Sequence, residues 1–235
     1  MPQVPPHLSA AAIRFLQHLQ RNNDRDWFNA RKDLFTHEVQ DPWLAVLEAV
    51  NQRLAEFAPD YVRPARRAAM RIYRDIRFSK DKRPYKTNIA AWWSTTTTER
   101  TNGGGFYVHV SHQDVVVAAG VYMPSPAQLL LIRRHLQQHH AELRGMLNSS
   151  KIRKLMPELD SNPLRRMPKG FLPDDPAADL LLCRQWALSA KLPLEVATSP
   201  KLVNEIAKRF RAVAPMVALL NAPLLAGRAP RKSLF

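Results

Sequence analysis

The sequence has little that would place the protein outside the cytoplasm. It contains a single cysteine, Cys183, so no intramolecular disulfide can form and nothing points to export. Its longest apolar runs, such as residues 115–123, are far too short to span a bilayer. The first residues lack the basic start and the apolar core of a signal peptide. We therefore expect a cytoplasmic protein that has no membrane partner.

Motifs typical of common cofactor and catalytic sites are also missing. The chain has no GxGxxG, Walker or GxSxG motif, and the glycines of residues 103–105 precede a predicted strand rather than a helix. His135 and His139 have the i, i+4 spacing of zinc ligands, but no glutamate follows His135 as in HExxH and a site needs a third ligand. We predict no metal site. The sequence leaves the cofactor, and enzymatic activity itself, open.

Acidic residues are scarce relative to basic ones. The chain has 35 Lys and Arg against 20 Asp and Glu, which gives a net charge of +15 at pH 7. Residues 61–170 alone carry a net charge of +13, whereas residues 1–60 carry −2 and residues 171–235 carry +4. A GC-rich genome would explain why Arg outnumbers Lys, but it would not concentrate the excess in the middle. A basic surface attracts anionic partners such as nucleic acids and anionic metabolites.

Apolar spacing divides the chain into helical and extended parts. Helical spacing runs through residues 8–57, where Asn23 or Asp24, and later Asp41, are typical helix starts. From Met70 the apolar period becomes two, which predicts strands. The predicted strands span residues 70–78, 85–93, 106–111 and 115–122. Because their connections are short, apart from a flexible loop at residues 94–105, we expect an antiparallel meander of about four strands.

Helical spacing returns after the last predicted strand. The predicted helices span about residues 124–146, 180–188 and 200 onwards, with a short one near Lys151 and a break or kink at Pro215. The order helices, strands, helices indicates an α+β fold with one antiparallel sheet flanked by N-terminal and C-terminal helices. We predict a single domain over residues 8–222. It comprises a helical segment at 8–57, the sheet at 68–123 and a helical part at 125–222, and residues 1–7 and 226–235 are predicted to be loose tails.

Residues 71–86, which we call the central block, hold seven basic and two acidic residues. On a strand, Arg71, Tyr73, Asp75 and Arg77 would form a row on one sheet face at a spacing of about 6.6 Å. Arginine offers a bidentate fork for a planar anion, and tyrosine offers a flat face for a stacked base. Asp75 would stay ionised between two arginines, where it could orient them or act as a base.

Neighbouring segments add further candidates for an anion site. The turn after the predicted strand supplies several cations, a facing strand supplies Tyr107, and a proline-rich loop with Arg166 and Lys169 is predicted to close over the sheet. The predicted ligand-binding residues are Arg71, Tyr73, Arg74, Arg77, Ser79, Lys80, Lys82, Tyr85, Lys86, Tyr107, Arg166 and Lys169. If the protein is an enzyme, Asp75 and His109 are the candidates for proton transfer.

The central block resembles the signature of a bacterial and fungal family called domain of unknown function 2461. The resemblance covers residues 71–87, with the departure that Arg83 stands where the family more often has threonine. Three other segments resemble family motifs in the same order along the chain, and the similarity covers about residues 8–222. These segments are residues 22–28, 120–124 and 166–171. The resemblance implies family membership and favours one shared site, but it implies no activity or substrate.

Three functions fit these patterns. The first is binding, with or without chemical conversion, of a small molecule that bears a phosphate or a carboxylate. The second is nucleic-acid binding through the positively charged middle of the chain. The third is a structural or protein-interaction role in which the basic face docks an acidic partner. A charge run is also typical of a solvated sheet face, and the sequence does not reveal the oligomeric state.

Overall fold

The computed structural model describes residues 4–77, 79–95 and 103–226. Phe78 of the first predicted strand, most of the predicted loop at residues 94–105 and most of both predicted tails lie outside these residues. Within the described part, no helix is long and apolar enough to cross a membrane.

The N-terminal part is helical, as its apolar spacing indicates. Its helices are α1 (Ala10–Arg21), α2 (Arg25–Asn29), α3 (Lys32–Leu34), a π-helix (Phe35–Gln40) and α4 (Asp41–Leu54). Polar side chains start the first two. Ser9 accepts a hydrogen bond from the Ala12 N–H, and Asp24 accepts one from the Trp27 N–H. Each cap satisfies a backbone donor that the first helical turn leaves without a partner.

The sheet has five antiparallel strands, where the sequence predicted about four. The strands are β1 (Asn88–Ser94), β2 (Gly105–Ser111), β3 (Asp114–Val121), β4 (Glu158–Asp160) and β5 (Trp186–Pro193). Their order in the sheet is β1-β2-β3-β5-β4. The α+β fold with one antiparallel sheet is therefore confirmed, and β1 is an edge strand.

The first predicted strand, over residues 70–78, is wrong. This stretch forms only two isolated antiparallel bridges, Ala69 with Ala91 and Tyr73 with Tyr85. Three residues separate the bridges on one side and five on the other, so a continuous ladder cannot stay in register. Lysine side chains also occupy backbone acceptors of this stretch. Lys86 Nζ donates to Arg71 O and Lys82 Nζ donates to Ile76 O, both at 3.0 Å. The predicted second strand is shortened to β1 for the same reason.

The prediction of a helix over residues 180–188 is also wrong. A one-turn helix ends at Leu181, and β5 begins at Trp186. This strand pairs with β3 along its whole length, from Trp186 opposite Val121 to Pro193 opposite Asp114. The buried side chains of β5 alternate along the strand, which is the period of two. Pairing with β3 therefore overrides the local helical pattern.

The remaining helices lie before the sheet and after β3. They are α5 (Ala65–Ala68), α6 (Pro126–Asn148), α7 (Ser150–Leu155), α8 (Ala178–Leu181) and α9 (Leu202–Leu225), with short 3-10 helices at Pro59–Tyr61 and Leu194–Val196. Ser125 and Gln128 form a capping box at the start of α6. Helix α9 continues through Pro215, so the chain does not break there.

The core lies between one face of the sheet and helices α4 and α9. Trp93 of β1 and Phe106 of β2 pack their rings against Phe210 of α9, at centroid distances of 5.7 and 5.0 Å. Asn221 of α9 ties the sheet to this helix, since it accepts from Gly104 N at 2.6 Å and donates to Gly104 O at 3.0 Å. On the other face of the sheet, Tyr107 and His109 are only half-buried.

Candidate functional site

The central block is attached to the N-terminal helices through Asn23. The Asn23 side chain accepts a hydrogen bond from Tyr85 N and donates one to Tyr85 O, both at 3.0 Å. Phe28 of α2 stacks on the Tyr85 ring at 4.1 Å with an interplanar angle of 18°. On its other side, Tyr85 pairs with Tyr73. Two of the four segments that resemble family motifs, residues 22–28 and 71–87, therefore meet.

A groove of about 1150 Å³ opens between the helices and residues 62–75. We call it the basic groove, because its walls carry six cationic side chains and a single carboxylate, Asp75. The cations are Lys32, Arg63, Arg66, Arg67, Arg71 and Lys86. Helices α2 to α4 with the π-helix supply one wall, and residues 62–75 with α5 supply the other.

The positive charge of the basic groove is not balanced by its own carboxylate. Asp75 accepts from Arg77 Nε at 3.0 Å and from Arg77 Nη2 at 2.7 Å. These hydrogen bonds from Arg77 lower the pKa of Asp75 to about 2, so the carboxylate is ionised at neutral pH and already neutralised by a guanidinium. Among the described residues, Arg66 and Arg71 form no salt bridge with any carboxylate. The groove thus has a net positive charge available to an anion.

Aromatic side chains line the same groove. Trp43 is 3% exposed, and among the described residues its buried Nε1–H has no hydrogen-bond partner. Buried donors normally have partners, and the described residues include other exceptions, among them Trp186 Nε1. Tyr73 is 48% exposed, and its ring lies 6.3 Å from Phe28 and 5.3 Å from Tyr85. One end of the groove therefore has an aromatic surface beside the arginines.

Four of the residues predicted from the sequence line the groove: Arg71, Tyr73, Asp75 and Lys86. The groove residues that the sequence analysis missed come mainly from the helical residues 28–44 and from residues 62–70. A signal for them existed, because residues 63–71 contain four arginines. Trp43 was interpreted as core packing, which its burial supports, and only the structure shows that it also faces the groove.

The other predicted residues of the central block make local contacts. Arg74 pairs with Asp81 at 2.5 Å and lies outside the groove lining, whereas Arg77 holds Asp75. Hydrogen bonds from Arg83 and then Arg74 lower the pKa of the Asp81 carboxyl. Lys82 contributes to a smaller neighbouring cleft beside Asn23. Of the rest, Ser79 is half-buried, Lys80 is exposed and Tyr85 is buried.

The structure does not bring Tyr107 and His109 to the groove. Both lie on the sheet face opposite to Ile89, which borders the groove. His109 Nδ1 lies 3.1 Å from the Tyr107 hydroxyl, and its Nε2 lies 3.9 Å from Asp114 Oδ1. Burial lowers the pKa of His109, although the nearby Asp114 opposes this shift. Asp75 and His109 therefore do not share one site.

Arg166 and Lys169 are exposed and do not line the groove either. Their loop is anchored by Phe171, which packs with Ala177 and Leu181 in a small separate cluster. The segment at residues 120–124 also has a contact of its own, since Met123 N donates to Gln185 Oε1 at 3.3 Å. Neither of these two segments contributes a residue to the groove.

No group of three or more His, Cys, Asp and Glu residues is placed to hold a metal ion within the described ranges. In comparison with known families, a model described as "Conserved hypothetical protein (DUF2461)" matches residues 11–218. This match includes both walls of the basic groove. A search of curated proteins finds no match.

Proposed function

The chain belongs to the DUF2461 family of conserved hypothetical proteins, whose description gives no activity, and we propose from the groove that it binds an anionic ligand. The ligand bears a phosphate or a carboxylate, and it lies in the basic groove. The observation that carries this proposal is the excess of six cationic side chains over one carboxylate that is itself paired. A solvated charge run needs no concave surface, whereas a small-molecule site does.

The identity of the cations supports the proposal. Four of the six are arginines, whose planar guanidinium can donate two parallel hydrogen bonds to a phosphate or a carboxylate. Arg66, Arg67 and Arg71 are exposed enough to reach a ligand from solvent. Asp75 is paired with Arg77 and its charge also acts on Arg71, but one carboxylate does not cancel the attraction of six cations for an anion.

The test is calorimetric titration of the protein with pyrophosphate and with citrate at about 150 mM salt, where surface electrostatics are screened over roughly 8 Å. We expect at least one probe to bind saturably to a single site. Arg66→Ala and Arg71→Ala should each weaken binding by roughly tenfold or more, since a hydrogen bond to a charged group contributes about 1.5–3 kcal/mol.

Arg134→Ala is the matched control. Arg134 is an exposed arginine on α6 and does not line the groove, so its removal makes the same change in net charge. Equal losses in the Arg71 and Arg134 variants would mean that only net charge matters, and they would contradict a site in the groove.

A further inference from the structure

We infer that the anion bound in the basic groove is a nucleoside phosphate, an inference that rests on the proposed function and narrows it. Such a ligand has a planar base, a sugar and one or more phosphates. The phosphates suit the arginines, and the base and the sugar suit features of the groove that a simple anion would leave unused.

The first feature is the size of the groove. Its volume of about 1150 Å³ is slightly above the usual range of small-molecule sites, about 300–1,000 Å³. A phosphate or a small dicarboxylate would contact only the arginines. The apolar part of the lining would then stay open to water, including Leu44, Val62 and Ile72.

The second feature is the ring of Tyr73. Phe28 and Tyr85 support this ring from the protein side, at 6.3 and 5.3 Å, yet 48% of the residue remains accessible. An aromatic ring that is fixed by other rings and partly open provides a stacking surface for a base, and stacking tolerates any base. Tyr73 is two residues from Arg71 in the same wall, so a stacked base would place its phosphate near the arginines.

The third feature is the unpartnered Nε1–H of Trp43. Trp43 lines the groove, its Nε1–H is buried, and this donor has no acceptor among the described residues. A base edge or a ribose hydroxyl supplies an acceptor for it, whereas an acyl chain does not. This donor and the flat ring of Tyr73 favour a nucleoside phosphate over a lipid phosphate.

The experiment compares probes that differ by one part of the ligand. The full chain is titrated with AMP, GMP, CMP, UMP, ribose 5-phosphate and pyrophosphate under one buffer condition. We expect the nucleotides to bind about tenfold more tightly than ribose 5-phosphate, because base stacking on an aromatic ring has about this effect. Tyr73→Ala should remove that difference, whereas the matched control Tyr73→Phe should retain it.

Two further variants separate the contribution of the Trp43 donor from that of the phosphate-binding Arg71. Trp43→Phe preserves most of the ring volume and removes only the donor, so nucleotide affinity should fall about threefold or more. An unchanged affinity would overturn the role of Trp43. Arg71→Ala should weaken nucleotides and ribose 5-phosphate by the same factor, because both carry the phosphate.

The outcomes distinguish this inference from the proposed function. Equal affinities for nucleotides, ribose 5-phosphate and pyrophosphate would overturn the inference of a nucleoside phosphate and would leave the proposed anion site standing. If no probe binds, both the inference and the proposed anion site are overturned. A short oligouridylate tests the source of the nucleoside phosphate. If it binds more tightly than UMP with a steep salt dependence, the ligand is a single strand, and if UMP binds at least as well, the ligand is a free nucleotide.

Discussion

Gly120 is the position where a single side chain would most directly disturb the sheet. It adopts a φ of +130°, and an added Cβ would lie 2.0 Å from the carbonyl oxygen of Trp186 on β5. Neither the backbone angle nor the close approach of the strand is compatible with a larger residue. By contrast, an added Cβ at Gly145 of α6 would meet nothing within 4 Å.

These two glycines give opposite predictions. Gly120→Ala should lower the free energy of unfolding by about 2–4 kcal/mol, because a backbone in this conformation has no low-energy place for a Cβ. Gly145→Ala should raise it by about 0.5–1 kcal/mol, since alanine favours the helix interior. Urea denaturation of both variants measures the two changes. A Gly120→Ala protein as stable as the wild type would contradict the strand geometry.

At the scale of elements, the groove depends on how α2 is attached to the central block. Asn23 replaces a strand neighbour for Tyr85, because its side-chain amide makes the two hydrogen bonds that a strand partner would make. Asn22 has the same chemical groups, but its side chain donates to His18 O in the preceding helix. The two adjacent asparagines are therefore a natural matched pair.

Asn23→Ala should lower the free energy of unfolding by about 1–3 kcal/mol, since it leaves two backbone groups of Tyr85 without partners. Binding of the anionic probe should weaken as well, because this contact holds the central block, which supplies Arg71 and Tyr73 to the groove, against the N-terminal helices. Asn22→Ala should change stability by less than about 1 kcal/mol and should leave binding unchanged. Denaturation and calorimetric titration of both variants check this. Equal effects would mean that the attachment does not organise the groove.

At the scale of the whole molecule, two half-buried histidines make stability depend on pH. Burial lowers the pKa of His109 and of His135 below their ordinary value of 6.5. The unfolded chain therefore binds more protons than the folded chain between the lowered pKa values and 6.5, so stability rises with pH across this window. The stability that these two histidines contribute is fully present above pH 6.5 and is lost as the pH falls through the lowered pKa values.

We accordingly expect the urea concentration at the unfolding midpoint to decrease as the pH is lowered from 7.5 to 5. The acidic groups with lowered pKa values, such as Asp75, contribute losses mainly below the ordinary carboxyl pKa of about 4. A double variant with His109→Gln and His135→Gln should show a clearly flatter profile over this range. A profile that is unchanged in the double variant would assign the pH dependence to other groups.

The sequence predicted elements better than it predicted contacts. Capping residues such as Ser9 and Ser125 start helices locally, and β2 and β3 follow their alternating apolar residues. Strand β5 and the interrupted pairing of residues 69–73 were missed, because each depends on a partner that is distant or out of register. The sequence identified four residues that line the groove, Arg71, Tyr73, Asp75 and Lys86, but it placed the first three in a row on a sheet face.

The sequence by itself determined the excess of positive charge, its concentration in the middle of the chain, the family signature and the α+β order of elements. These properties are local or additive, so they can be read from the residues in order. Only the tertiary structure decided which cations face a common space. Arg66 lines the same groove as Lys32 and Trp43 because its segment packs on α4, where the Asn51 side chain donates to Arg63 O at 2.7 Å. Contacts between residues so far apart in sequence depend on packing and on paired hydrogen bonds, and neither leaves a periodic signal.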